Sequence, residues 1–478
     1  MKKTSFILAF LLSGAALAQS AGVFTATGNM ITPRFAHTAT LLPNGKVLIA
    51  GGKTICVIGS FPCVGANSAE LYDPATGTFA ATGSMTAVDP KGGLLLPDGR
   101  ILFAGGDATA GTALVELYDP STYTFTVSGH ASILTSIASA TLLNDGRVLL
   151  TGAGKFSLFY SAEIYDPVPG TFSAIANWPP ADPTPLAVLV DGRVFLEFYE
   201  DNAGLLDPAT GALSVVCGLT GFDGPPRASL LMDGNILFNG GNDASGSESS
   251  VELYNSAAGT LAGNGRMSTP RDGHTSTLLP DGTVLLAGGL PTGGHQVPAI
   301  ASAELYDPAT AGFSATGHLG IGRASHTAVL LSSGQVLITG GATFGSTNSI
   351  IGMSSAEIYT PPVPTPAPML FSLSGDGRGQ GAIWHPQTGM IVSSDNPAVA
   401  EEVLSMYTTS LFDTGVIPPQ IAIGGRLAEI LFFGGAPGYP GYKQVNFRVP
   451  SGVSPGPAVG VRLNYLNRPS NEVTIQVQ

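Results

Sequence analysis

Charge is scarce in this chain. Only 11% of its 478 residues are charged, and 20 basic residues face 33 acidic ones. Removing Lys2 and Lys3 with the leader described below leaves 18 basic residues and a net charge of −15. Such a surface argues against a nucleic-acid backbone or an anionic bilayer as partner. Cysteine is limited to three residues. Beyond the leader no apolar run reaches membrane-spanning length, and no long segment carries a helical period. The chain also lacks a Walker loop, a Rossmann glycine pattern, a Gly-x-Ser-x-Gly elbow and a His-Glu-x-x-His pair. Its glycine doublets close apolar strands and are not followed by helices.

Glycine (64) and proline (36) are abundant and punctuate short β-like runs. The unit is clearest at Arg271–Gly317. HTSTLL (274–279) and TVLLAGG (283–289) flank Pro280-Asp281-Gly282, a strong hairpin signal because glycine accepts positive φ. SAELYDP (302–308) stops at Asp-Pro, and GFSATG (312–317) completes a four-stranded unit a-b-c-d. The a–b turn recurs from Asn44-Gly45 to Ser333-Gly334 with a mean step of about 48 residues, close to the kelch period. Strand c recurs as ELYDP, EIYDP, GLLDP, ELYNS or EIYTP, and strand d carries an apolar anchor (Phe79, Phe125, Phe172, Leu213, Leu261, Phe313). Such a unit cannot bury both faces alone and must stack on its copies. After the seventh strand c comes TPPVPTPAP, with no strand d. A d-like strand, VFTATGNM (23–30), instead precedes the first repeat. The expected fold is all-β: a seven-bladed propeller closed by the N-terminal strand, which removes open edges.

These repeats, over residues 22–363, resemble kelch repeats, most of all those of bacterial galactose-oxidase-like propellers. A proline-rich linker (364–368) leads to a tail, 369–478, read as a small β-sandwich. Its GQGAI (379–383), GGAPGYPGYKQVNFRVPSGV (434–453) and SNEVTIQV (470–477) resemble the Ig-like C-terminal domain of many secreted acidobacterial proteins. That resemblance implies export and, at most, attachment to a surface or matrix. Residues 1–18 read as a cleavable signal peptide ending Ala16-Leu17-Ala18. The chain is therefore expected outside the cytoplasm, where Cys56 and Cys63 can form a disulfide. Cys217 reads as a buried free thiol.

In a propeller the d–a and b–c loops share the face that usually takes a ligand. Arg-x-x-His enters strand a at Arg34/His37, Arg271/His274 and Arg323/His326, and long b–c insertions occur at 53–67, 290–300 and 342–353. Once the ring closes, these lie in consecutive blades. The six residues are candidates to bind a ligand bearing carboxylate or hydroxyl groups through the planar arginine fork. The competing reading makes them kelch scaffold. Glu197, Glu200 and Asp201, in blade four, form an acidic cluster that serves as a solvated corner, a cation site or a catalytic pair. The galactose-oxidase resemblance implies a copper site built from tyrosines, histidines and a cross-linked cysteine. No Tyr-His dipeptide of that site is present, and His385 is the one histidine the tail could contribute. The expectation is a secreted, non-enzymatic module that presents its mouth to a protein or glycan, with no catalytic residues, metal or cofactor. The alternative is a galactose oxidase-like or glycan-active enzyme.

Overall fold

The computed structural model describes residues 21–57, 60–106, 111–154, 160–176, 178, 184–198, 202–216, 226–243, 246–291, 297–344, 349–412 and 416–478. The signal peptide, Cys217, Glu200 and Asp201 lie outside them. The described chain is all-β, with strands and turns and no α-helix. No helix among the described residues is long and apolar enough to cross a membrane.

Each repeat forms a four-stranded antiparallel sheet in the order a-b-c-d. In the sixth these strands are Thr275–Leu278, Val284–Ala287, Ala303–Asp307 and Gly312–Ala315. The hairpin signal acts through Gly282, whose φ of 89° only glycine adopts without strain. Strand b is buried along its core, completely in Val47–Ala50 and Val284–Ala287, because both its faces pack on neighbouring sheets. This explains its unbroken aliphatic run. Anchor rings of strand d stack on the strand-c tyrosines, as in Tyr72–Phe79 (4.8 Å) and Tyr306–Phe313 (5.1 Å).

The N-terminal strand Val23–Ala26 pairs with Ala356–Thr360 in the register Phe24↔Tyr359 and so supplies strand d of the last repeat. Phe24 takes the anchor position, 4.8 Å from Tyr359. Strands a of successive repeats lie side by side, and Thr38–Leu41 of the first also borders Thr327–Leu330 of the last. The result is a propeller-like arrangement about a cavity of about 860 Å³ lined by strands a.

The tail contains two further four-stranded sheets. Leu404, Met406, Val445 and Phe447 of one meet Ile421, Ile423, Val461 and Val473 of the other in a single buried core. It sits against the a–b turns. Val416 donates to the Met232 carbonyl (2.8 Å), Tyr465 Oη lies 3.7 Å from Met232 Sδ, and Arg468 donates to Thr365 O (2.6 Å). Pro418, Pro419, Gln420, Ile430 and Leu466 form the floor of the cavity. The tail therefore closes the end opposite the b–c loops.

Candidate functional site

The Arg-x-x-His motifs fold into a repeated device within the wall. Arg34, Arg271 and Arg323 are fully buried. Arg271 Nη1 donates to the Gly288 and Ser302 carbonyls (2.8 Å each), and Nη2 donates to Ser302 Oγ and Glu304 Oε1 (2.9 Å each). Arg34 and Arg323 repeat this with Glu70 (2.8 Å) and Glu357 (2.7 Å). Burial lowers the pKa of each guanidinium, and its glutamate acts against that shift. The same glutamates accept from d–a backbone amides, as Glu70 does from Ile31 (2.6 Å) and Thr32 (2.9 Å). Glu116 holds Thr86 and Ala87 in the same way without an arginine. The strand-c glutamate is thus an organiser of the loop, a role its repetition in ELYDP could have signalled.

The histidines join neighbouring repeats. His37 Nε2 lies 2.9 Å from Thr327 Oγ1 and 3.0 Å from Thr339 Oγ1. His274 Nε2 lies 2.7 Å from Asn239 Oδ1, and His326 Nε2 lies 3.0 Å from Thr275 Oγ1. Burial is the main cause of their lowered basicity, and nearby arginines add to it. The His37 pKa falls to about 3, and those of His274 and His326 fall well below 6.5. The glycine doublets complete the junction. Gly289 N donates to Arg323 O (2.9 Å) and Gly341 N to Arg34 O (3.0 Å). A Cβ on Gly288 or Gly340 would come within 2.5 Å of those same carbonyls. The six sequence-selected residues are therefore brought to one sector. The arginine forks and the histidine Nε2 atoms are engaged inside the protein, and the three histidine Nδ1 atoms are buried without a hydrogen-bond partner among the described residues.

Above them, the insertions of the last and first repeats merge. Ala342–Phe344, Ser349–Gly352, Lys53–Val57 and Ser60–Gly65 form one four-stranded sheet in that order. Cys56 and Cys63 are disulfide-bonded within it. Phe35 packs against Cys56, Cys63, Ala342 and Ile350 of this sheet. Of the acidic cluster, Glu197 pairs in register with Thr184 and Ala203, half-buried.

The cavity itself has a different chemistry. Its lining residues carry hydroxyls, amides and aliphatic groups, and no carboxylate, histidine or tyrosine is among them. Thr40, Thr141, Ser229 and Thr277 contribute hydroxyls. One tier nearer the mouth, each strand a places one residue opposite the strand-b residue five positions after the turn glycine. Four repeats place Thr38 (opposite Ala50), Ser139 (Thr151), Thr275 (Ala287) and Thr327 (Thr339). The others place Thr184 (Glu197) and two cations, Lys91 (Ala104) and Arg227 (Asn239). Lys91 is ion-paired with Asp89 at 3.2 Å. Arg227 Nε donates to His274 O at 3.0 Å. Sequence reading missed Arg227, which lacks the Arg-x-x-His context. Aligning TATL, SATL, RASL, TSTL and TAVL would have exposed it as the one arginine in a row of hydroxyls.

No protein-family model matches the chain, and no curated protein matches it. Among solved structures it is similar to a fungal alcohol oxidase of the AA5 family in complex with copper. The TM-score is 0.61 at 16% identity, with 96% of this chain and 100% of that chain covered. The chain thus has a galactose oxidase-like β fold. The finding also corrects the expectation of a non-enzymatic scaffold, because a solved structure that matches nearly the whole chain is an enzyme.

The copper of that neighbour does not fit the residues described here. Among them no three His, Cys, Asp or Glu side chains cluster to hold a metal ion. Tyr72, Tyr118 and Tyr359 are buried, with each hydroxyl 2.9 Å from a threonine of the adjacent repeat. His385 bonds Glu402 (2.5 Å) and the Asn396 carbonyl (3.2 Å) inside the tail.

Proposed function

We propose that the chain is an exported enzyme acting on the hydroxyl groups of sugars or other alcohols. It is a seven-bladed kelch propeller, closed by its N-terminal strand and capped by an Ig-like sandwich at residues 369–478. The leader at residues 1–18 supports export. The observation that carries the reading is the cavity of about 860 Å³, lined by aliphatic side chains with neutral hydroxyl and amide groups among them and floored by the tail, in a fold shared with an alcohol oxidase. Neutral donors and acceptors on an apolar frame match a polyhydroxylated ligand, and a cavity of this size holds one or two sugar rings. Oxidation of a carbinol by dioxygen would give the carbonyl compound and hydrogen peroxide. No step is assigned to copper, since the described residues supply no ligand set for it.

The test is a turnover screen of the purified protein, metal-free and copper-loaded, with galactose, glycerol, benzyl alcohol and plant oligosaccharides. Oxygen uptake, peroxide and products by mass spectrometry are the readouts. Substrate-dependent product is expected. Its absence from every combination contradicts the enzyme reading.

A further inference from the structure

The tier at the mouth of the cavity is chemically uneven. Five of its positions are hydroxyls, and of its two cations only Lys91 has an ion-pair partner among the described residues. Arg227 is exposed and directly precedes the cavity-lining Ala228 and Ser229, and its surroundings lower its basicity. Its bond to the His274 carbonyl fixes the guanidinium plane. Among the described residues neither terminal nitrogen of Arg227 has a hydrogen-bond partner. Among the described residues Asp272 is the one carboxylate that acts on it electrostatically, and the two are not in ion-pair contact. The buried arginines of this protein each hold a glutamate and several oxygens. Arg227 stands apart from that pattern.

We infer that Arg227 is the anchor for a carboxylate on a polyhydroxylated ligand, so that the cavity takes sugar acids such as hexuronates in preference to neutral sugars. A guanidinium held by Nε presents two parallel N–H groups, the arrangement that grips a carboxylate in bidentate fashion. The low-polarity channel strengthens such a pair relative to water, and the bound anion offsets the partial desolvation the arginine already carries. Thr277, on the adjacent strand a, lines the cavity and offers a hydroxyl that suits one of the ring hydroxyls. His274, His326 and His37 behind the wall are held neutral, so they do not replace the arginine as the cationic partner.

The assignment rests on the proposed substrate cavity but is measured by binding, independently of turnover. Isothermal titration with galacturonate and with galactose is expected to show at least about tenfold tighter binding of the acid. Arg227→Gln should remove that preference while leaving galactose affinity within about twofold. Arg227→Lys, which keeps the charge but loses the fork, should retain only part of it. Thermal melting of each variant identifies any that fails to fold, and the wild-type comparison stands without them. Equal affinity for the two sugars in the wild type, no binding of either, or a preference that survives in Arg227→Gln overturns the assignment. A uronate preference without turnover sinks the enzyme reading alone. Turnover of neutral sugars without the preference sinks this one alone.

Discussion

Replacing Arg271 by alanine is expected to destabilise the protein by about 3–5 kcal/mol, the range for removing one partner of a buried ion pair. The change strands Glu304, which is 3% exposed and would keep only backbone amides such as Ser268 N (2.8 Å). It also releases the Gly288 and Ser302 carbonyls, which accept from Nη1 at 2.8 Å. An unpaired buried group costs its full desolvation, so the loss should exceed that of any surface arginine. Arg448→Ala is the contrast, because its partner Glu429 is 61% exposed and such pairs contribute little. Urea denaturation of the two variants checks this. If Arg271→Ala melts like the wild type, the buried pair is not what holds the d–a loop to strand c.

The second large effect is acid sensitivity above the carboxylate range. His37, His274 and His326 have folded pKa values lowered by burial, that of His37 to about 3, against about 6.5 in an unfolded chain. The unfolded state therefore binds more protons than the folded state between those values. Stability from these groups is fully present above pH 6.5 and is lost as pH falls toward 3. Each histidine contributes a slope of up to about 1.4 kcal/mol per pH unit in that window, so three together approach about 4. Urea midpoints at pH 7.5, 6.0 and 5.0 should fall steeply, and His326→Gln should reduce the slope by about one proton. A flat profile from pH 7 to 5 would mean that the histidines are not buried neutral at the joins between repeats.

Both predictions show where the sequence was readable. The recurrence of Asp-Gly turns, ELYDP and the glycine doublets announces four-stranded units, since each feature acts locally: a turn, a strand end, a positive φ. The displaced strand 23–30 was legible because its anchor Phe24 and following Ala-Thr-Gly copy TFAATG. The partners of those features were not legible. That Gly340 abuts the Arg34 carbonyl, or that His326 reaches Thr275 of the preceding repeat, depends on how neighbouring repeats pack. The same holds for the tail. Nothing in Pro418, Pro419 or Leu466 announces a cavity floor, because their role arises from docking against turns more than 80 residues away in sequence. The insertions were noticed for their length, whereas their union into one sheet required the ring to bring residues 53–57 beside 349–352.

The candidate site was misdirected for a related reason. Arg-x-x-His draws attention by repeating, and repetition marks what every repeat needs for its own packing. Arg227 breaks a repeat instead, standing where the other strands offer threonine, serine or lysine. Departure from the pattern is the stronger functional signal in a repeat protein.

The most direct test of the account is a crystal structure of the protein soaked with galacturonate. The account predicts a sugar in the cavity above the tail floor, its carboxylate on Arg227 and its hydroxyls on cavity-lining groups such as Thr277 and Gln420. A sugar bound only outside the channel, or none at concentrations where turnover is seen, would contradict it.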